Sequence, residues 1–338
     1  MQTVNVSYDE MKDVFYRILL RNSFSESVAE TCARIFTENS LDGIYTHGVN
    51  RFPRFIEYVK HGIVKPANTP TIKASIGAFE QWAGNEGPGI TNALFITDRV
   101  MDLAKQNGIA CIGLSNTNHW MRGGTYGWKA AKAGFVLISW TNTIGIMPAW
   151  GAKDPHIGNN PLVVAVPFGR DAIVLDMAMS QYSYGAMELA VLKHEQLGVT
   201  GGFDEKGLMT TDPSSILLSG RPLPIGYWKG AGLALLLDIM ASLFSGGLAT
   251  HEISKSGTES NVSQVFIAID LSRLPNFSSI QQSVQQIISD YHASIPENEA
   301  LITYPGEKVL RTRHYNLIHG IPVLTSVWET IQKIKLRA

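Results

Sequence analysis

In the stretch "GIYTHGVNRFPRFIEYVKHG" a histidine and an arginine, His47 and Arg51, stand four residues apart just ahead of Pro53. Imidazole gains and loses a proton near neutrality, and a guanidinium is a planar fork that matches both oxygens of a carboxylate. Side by side, the two could hold an organic acid and exchange a proton with an oxygen next to it. The same residues in isolation would do no more than close a turn and make a surface ion pair. Their setting favours the first reading. Asn50 reads as a helix N-cap, and Phe52, Phe55, Ile56 and Val59 then recur on one face until Gly62. Pro53 falls in the first turn, where a missing N–H does little harm. Arg51 would be the first helical residue, with His47 in the turn before it, at a helix end that already favours anions.

Three glycine-bearing stretches extend the set. "NHWMRGGTYGWKAAKAG" follows a strand-like run and opens a helix, the place of a dinucleotide fingerprint. Its spacing is GGxxG, with Arg122 where the first glycine belongs and no acidic residue from Gly127 until Asp154, so an ordinary Rossmann site is rejected. His119 in that loop is either a polar group at a strand's carboxyl end or a loop histidine satisfied by backbone, and Trp120 and Met121 read as packing. "GYWKGAGLALLLD" sets Lys229 before Gly230 and Gly232 at the start of a long apolar helix. This suits a pyrophosphate, and equally suits tight helix packing. "TYPGEKVLR" is a Pro-Gly turn into a further segment. No HExxH, CxxC or GxSxG occurs, so neither a metal site nor a serine-hydrolase elbow is expected.

Charge and composition exclude other classes. The 28 basic and 29 acidic residues nearly cancel, without blocks of one sign, which leaves no footprint for nucleic acid or an anionic membrane. The partner expected is a small molecule. The N-terminal residues lack the pattern of a secretory signal, and two distant cysteines, Cys32 and Cys111, fit a reducing cytoplasm. The most apolar stretch, "AGLALLLDIMASLFSGGLA", carries Asp238 at its middle and glycines at both ends, and reads as a buried helix rather than a membrane span.

The elements that must position these residues follow from periodicity. "SYDEMKDVFYRILLRN" places Met11, Val14, Phe15, Ile18 and Leu19 at helical spacing behind Ser7, with Glu10 completing a capping box. A second helix runs from Ser25 towards Gly43. "GIACIGLS", "GFVLISWT", "NPLVVAVP", "AIVLDMA" and "SQVFIAIDLSRL" are short apolar strands, and "SSIQQSVQQIISDYHAS" and "SVWETIQKIKLRA" return to helix. The fold class is α/β: a helical domain built from both chain ends (1–74 with 278–338) beside an α/β cofactor-binding domain (75–277).

"YTHGVNRFPRFI", "SNTNHWMRGGTYGW", "PAWGAKDPHIGNNPLVVAVP", "VLDMAMSQYSYG", "GYWKGAGLALLLDIM" and "YPGEK", in this order, resemble the malate/L-lactate dehydrogenase family that is unrelated to the Rossmann-type lactate dehydrogenases. The resemblance covers nearly the whole chain. It implies a non-Rossmann mixed sheet, a cytoplasmic homodimer and NAD (as NADH) as cofactor. "NHWMRGG" and "GFDEKG" point within the family to a sugar-acid substrate, 2,3-diketo-L-gulonate, reduced to 3-keto-L-gulonate. Malate, lactate or ureidoglycolate as the 2-hydroxy acid is the alternative. The family's acid/base histidine falls on His47, with Thr46 in place of its serine, and its arginine on Arg51. A second histidine used by some relatives falls on His119. The cofactor segments fall on Ile173, Val174, Leu175, Asp176, Met177 and Ala178, on Trp228 and Lys229, and on Gly306, Glu307 and Lys308. Asp176, if it faced the ribose, would disfavour NADP. Outside this class stand a sugar-acid binding protein, in which the same side chains only hold a carboxylate, and a cofactor-independent isomerase or lyase.

Overall fold

The computed structural model describes residues 2–297, 299 and 301–337. Its centre is a seven-stranded mixed sheet in the order Thr71–Ile76, Phe79–Ala83, Ile109–Thr117, Val262–Asp270, Phe135–Thr141, Leu162–Phe168, Asp171–Met177. Only Phe79–Ala83 and Ile109–Thr117 run parallel; every other neighbouring pair in this sheet is antiparallel. That pattern is not the doubly wound parallel sheet on which a GxGxxG loop works. Each expected strand is present, and its alternating side chains feed two faces. Phe266 and Ala268 pack under helices Gly89–Asn107 and Gly124–Lys132, while Val265 and Ile267 pack on helix Trp228–Ser245.

A separate core joins the chain ends. Helices Tyr8–Arg21, Glu26–Leu41 and Phe52–Lys60 pack with helix Thr325–Arg337 and with the antiparallel pair Thr3–Val6 and Ile321–Leu324. Ser7 caps the first helix, its Oγ accepting from the Glu10 N–H at 3.2 Å. Phe15 and Phe52 stack at 4.0 Å and Phe36 meets Phe52 edge-on at 5.2 Å, all three fully buried. Each such ring contributes about 1.5–3 kcal/mol by burial, and Phe52 is the residue next to Arg51, so the aromatic cluster also anchors the arginine. The sheet starts at Thr71, a few residues before the expected boundary at 74, and helix Phe277–His292 leans on strand Leu162–Phe168.

Two expectations are corrected. Arg51, not Asn50, is the N-cap of helix Phe52–Lys60. The chain already coils through this region, the N–H groups of Arg51 and Phe52 both donating to the Gly48 carbonyl, so Asn50 has no helix start to cap. Helix Trp228–Ser245 is not a buried helix: a third of it is buried, although by length and composition it could cross a membrane. Small residues, Ala231, Ala234 and Ala241, face the sheet, while Trp228, Leu235, Leu236 and Leu243 are 64%, 50%, 56% and 68% exposed. Asp238 is satisfied within the fold, its Oδ1 accepting from Asn142 Nδ2 and the Thr250 N–H, each at 2.9 Å.

Candidate active site

His47 ends the short turn Tyr45–His47 between two helices of the terminal core. Its carbonyl accepts from Asn39 Nδ2 at 3.0 Å, and Asn39 Oδ1 accepts from Thr125 Oγ1 at 2.9 Å, so the turn is fastened to the helix over the sheet. Thr46 Oγ1 lies 3.1 Å from His47 Nδ1 and orients the ring. The methyl group of Thr46 rests on Gly185, where a Cβ would come within 2.7 Å of it.

His119 arrives from the sheet side, just beyond strand Ile109–Thr117. Its loop turns sharply, with Asn116 and Met121 in left-handed conformations at φ 52° and 66°. The Met121 N–H donates to His119 Nδ1 at 2.9 Å, so the neutral ring carries its proton on Nε2. Gly89 lets the loop sit on the start of helix Gly89–Asn107: a Cβ there would lie 2.2 Å from the Asn118 carbonyl oxygen and 2.3 Å from that of His119. Trp120 and Met121 are buried, as packing residues.

The two routes converge. The imidazoles of His47 and His119 face each other nearly parallel, 17° apart with centroids at 5.6 Å. Beside them stands Glu259, a residue that sequence reading missed. Its Oε2 is 3.8 Å from Arg51 Nη2 and its Oε1 is 4.0 Å from His119 Nε2. A lone glutamate in the polar loop "SGTESN" carries no local signal; only the fold brings it to the histidines. Arg51, His119 and Glu259 are 21%, 15% and 19% exposed at their side chains, which makes the site a recessed cleft. Burial, and after it the cations of Arg51 and Arg122, push His47 down to about 4. Burial, then Arg51 and His47, lower His119 as well, and burial raises the Glu259 carboxyl against the pull of Arg51 and Arg54. An anion seated on Arg51 offsets the charge that holds both imidazoles down, so binding an acid draws a proton into the site.

The segments expected to hold the cofactor gather along the edge strand Asp171–Met177 and the residues that follow it. The Val174 N–H donates to the Pro305 carbonyl at 3.0 Å, which places Gly306 against the strand, and the Ile225 N–H donates to the Met179 carbonyl at 2.9 Å, which brings the start of the helix bearing Trp228 and Lys229 to its other end. Lys229 and Lys308 are exposed and, among the described residues, neither has a carboxylate within ion-pair distance, which suits anionic phosphates. Glu307 is otherwise engaged, accepting from the Tyr304 N–H at 3.2 Å and pairing with His292 at 3.0 Å. Gly230 serves packing, since a Cβ there would be 2.2 Å from the Ile225 carbonyl oxygen; Gly232 has open space beside it. Asp176 is exposed on the edge strand, and its Oδ2 accepts the Gly124 N–H at 2.7 Å, at the start of helix Gly124–Lys132. Arg122 pairs with buried Asp42, which takes a second bond from Arg313 Nη1 at 2.7 Å and so links the histidine loop to helix Glu307–His319. A cavity of about 240 Å³ opens beside this network, between Arg34, Trp128, Lys129 and Arg313.

Residues 6–332 match the family described as malate/L-lactate dehydrogenase. A 2,3-diketo-L-gulonate reductase of Pasteurella multocida is 42% identical over 334 residues, 98% of this chain and 100% of the relative. Among solved structures, malate dehydrogenase from Entamoeba histolytica shares the fold, with a TM-score of 0.93 at 24% identity over 99% of this chain and 98% of the other. Malate dehydrogenase from Pyrococcus horikoshii OT3 superposes with a TM-score of 0.90 at 26% identity, over 99% and 95% of the two chains.

Proposed function

Because the chain belongs to the malate/L-lactate dehydrogenase family, we propose that it reduces 2,3-diketo-L-gulonate to 3-keto-L-gulonate with NADH. The observation that carries this reading is the meeting of two imidazoles, with a guanidinium and a carboxylate beside them, in a single recessed cleft. The choice of substrate rests on the reductase of Pasteurella multocida and on another from Salmonella paratyphi A, 41% identical over 98% of this chain and 100% of the relative.

Arg51 takes the C1 carboxylate through two parallel N–H bonds and so fixes which carbonyl is presented to the cofactor. Reduced nicotinamide, when bound, supplies the hydride to C2. His47, protonated as the acid binds, gives its proton to the carbonyl oxygen as that oxygen becomes an alkoxide. Thr46 holds the imidazole at Nδ1, which leaves Nε2 to face the substrate. His119 donates its Nε2–H to a substrate oxygen, in the tautomer that Met121 imposes. Lys229, Trp228 and the segments 173–178 and 306–308 would hold the cofactor, the Lys229 ammonium being suited to a phosphate.

The proposal includes a cytoplasmic homodimer. The leucines on the outer face of helix Trp228–Ser245 form an apolar surface of the kind that a second copy of the chain covers. Loss of NADH absorbance on adding diketogulonate tests the reading, with pyruvate, oxaloacetate and ureidoglycolate as rival 2-oxo acids. A binding protein or an isomerase would leave NADH untouched.

A further inference from the structure

We infer that Glu259 is a specificity-determining residue, which turns away acids that carry a second carboxylate and accepts hydrogen bonds from a hydroxylated chain. The inference rests on the reading of Arg51 as the carboxylate clamp. Glu259 lies in the loop between the turn Ser254–Ser256 and strand Val262–Asp270, with its carboxylate directed at the cleft. Its oxygens stand 3.8 Å from Arg51 and 4.0 Å from His119, near enough to feel the arginine's charge and the histidine's Nε2–H dipole and too far to close a hydrogen bond. Both oxygens therefore keep acceptor capacity beside any molecule that bridges the arginine and the histidines.

An acid whose C1 carboxylate sits on Arg51 and whose C2 oxygen sits between the imidazoles must run its remaining carbons past this group. Hydroxyls on those carbons can donate to it in charge-assisted bonds, which ionised carboxylate oxygens accept well. A second carboxylate on C4 meets a like charge in a recessed cleft, where screening by water is reduced. Glu259 also offsets the charge of Arg51, so that one substrate carboxylate, not two, balances the site. Such built-in repulsion is a common source of discrimination between related ligands.

The test compares wild-type protein with Glu259→Gln and Glu259→Asp on diketogulonate, pyruvate and oxaloacetate, using kcat/KM with NADH or, for an acid not turned over, its inhibition constant against diketogulonate. Referring each acid to pyruvate cancels any general loss of Arg51 or His119 positioning. Glu259→Gln should raise oxaloacetate relative to pyruvate by about tenfold or more and lower diketogulonate relative to pyruvate by about tenfold. Glu259→Asp, which keeps the charge, should hold the oxaloacetate ratio within about threefold of wild type, and Glu259→Ala, which also removes the charge, takes the place of the glutamine variant if that one does not fold. Unchanged ratios in Glu259→Gln, or an aspartate variant as relaxed as the glutamine one, overturn the inference and leave the proposed reaction standing. Failure of wild-type protein to oxidise NADH with any 2-oxo acid removes the reaction itself, and this inference with it.

Discussion

Replacing Arg51 by methionine removes the guanidinium that stands 3.8 Å from Glu259 and holds down His119, while keeping an unbranched apolar side chain at the position. The side chain is 21% exposed, so its bond to a substrate carboxylate forms largely out of water. Breaking a partly buried bidentate charge pair from one side costs about 3–5 kcal/mol, which corresponds to a loss of two to three and a half orders of magnitude in kcat/KM. Arg51→Lys keeps the charge and loses the fork, for a loss of about tenfold. The amide of the same substrate has no charge to lose, so it should fall by about tenfold at most in the methionine variant. A second signature follows from His47. Its proton affinity is held down to about 4, by burial first and Arg51 next. Since the protonated ring is the donor, kcat/KM on the acid should decline as pH rises above that value, and Arg51→Met should move the decline to higher pH by lifting one of its causes. Steady-state kinetics on acid and amide across pH measure both effects. If the acid loses no more than the amide and the profile stays in place, Arg51 neither reads the carboxylate nor sets the histidine.

Three further outcomes are expected. His47→Ala should lower kcat by about two to four orders of magnitude with NADH affinity kept, as loss of a general acid requires; a collapse in His119→Ala with normal turnover in His47→Ala would exchange the two roles. Lys229→Met should weaken NADH by roughly 1.5–3 kcal/mol in a fluorescence titration, whereas unchanged affinity would make the lysine a surface residue. Leu236→Glu should give a monomer in analytical ultracentrifugation, since it puts a charge in the middle of the exposed leucine face, and a persistent dimer would place the interface elsewhere.

Much of this was legible in local chemistry. Ser7 caps its helix through the Glu10 N–H whichever helices lie nearby, and β-branched runs such as "LVVAVPF" become strands because both faces of their sheet are covered. The pair His47 and Arg51 could be placed because one helix start positions both. The hairpin of Thr71–Ile76 and Phe79–Ala83 was missed although Ile72, Ala74 and Ile76 alternate with polar residues: the outer strand is short, lies at the sheet edge, and leaves Ile72 and Ile76 exposed instead of in a core. Glu259 and the Asp42, Arg122 and Arg313 network lie at sequence separations that no periodicity spans; Asp42 and Arg313 are 271 residues apart. The half-open helix Trp228–Ser245 was misread for a different reason. An all-round apolar helix has the same composition whether its outer face meets the same chain or another copy of it.

The central claim is transfer of hydride to C2 of an acid held by Arg51, and isotope transfer tests it most directly. With NADH deuterated at the transferring position of the nicotinamide and 2,3-diketo-L-gulonate as substrate, NMR of the product should show deuterium on C2 of 3-keto-L-gulonate, in step with NADH consumed. Deuterium on C3, or product formed with NADH unchanged, would contradict it.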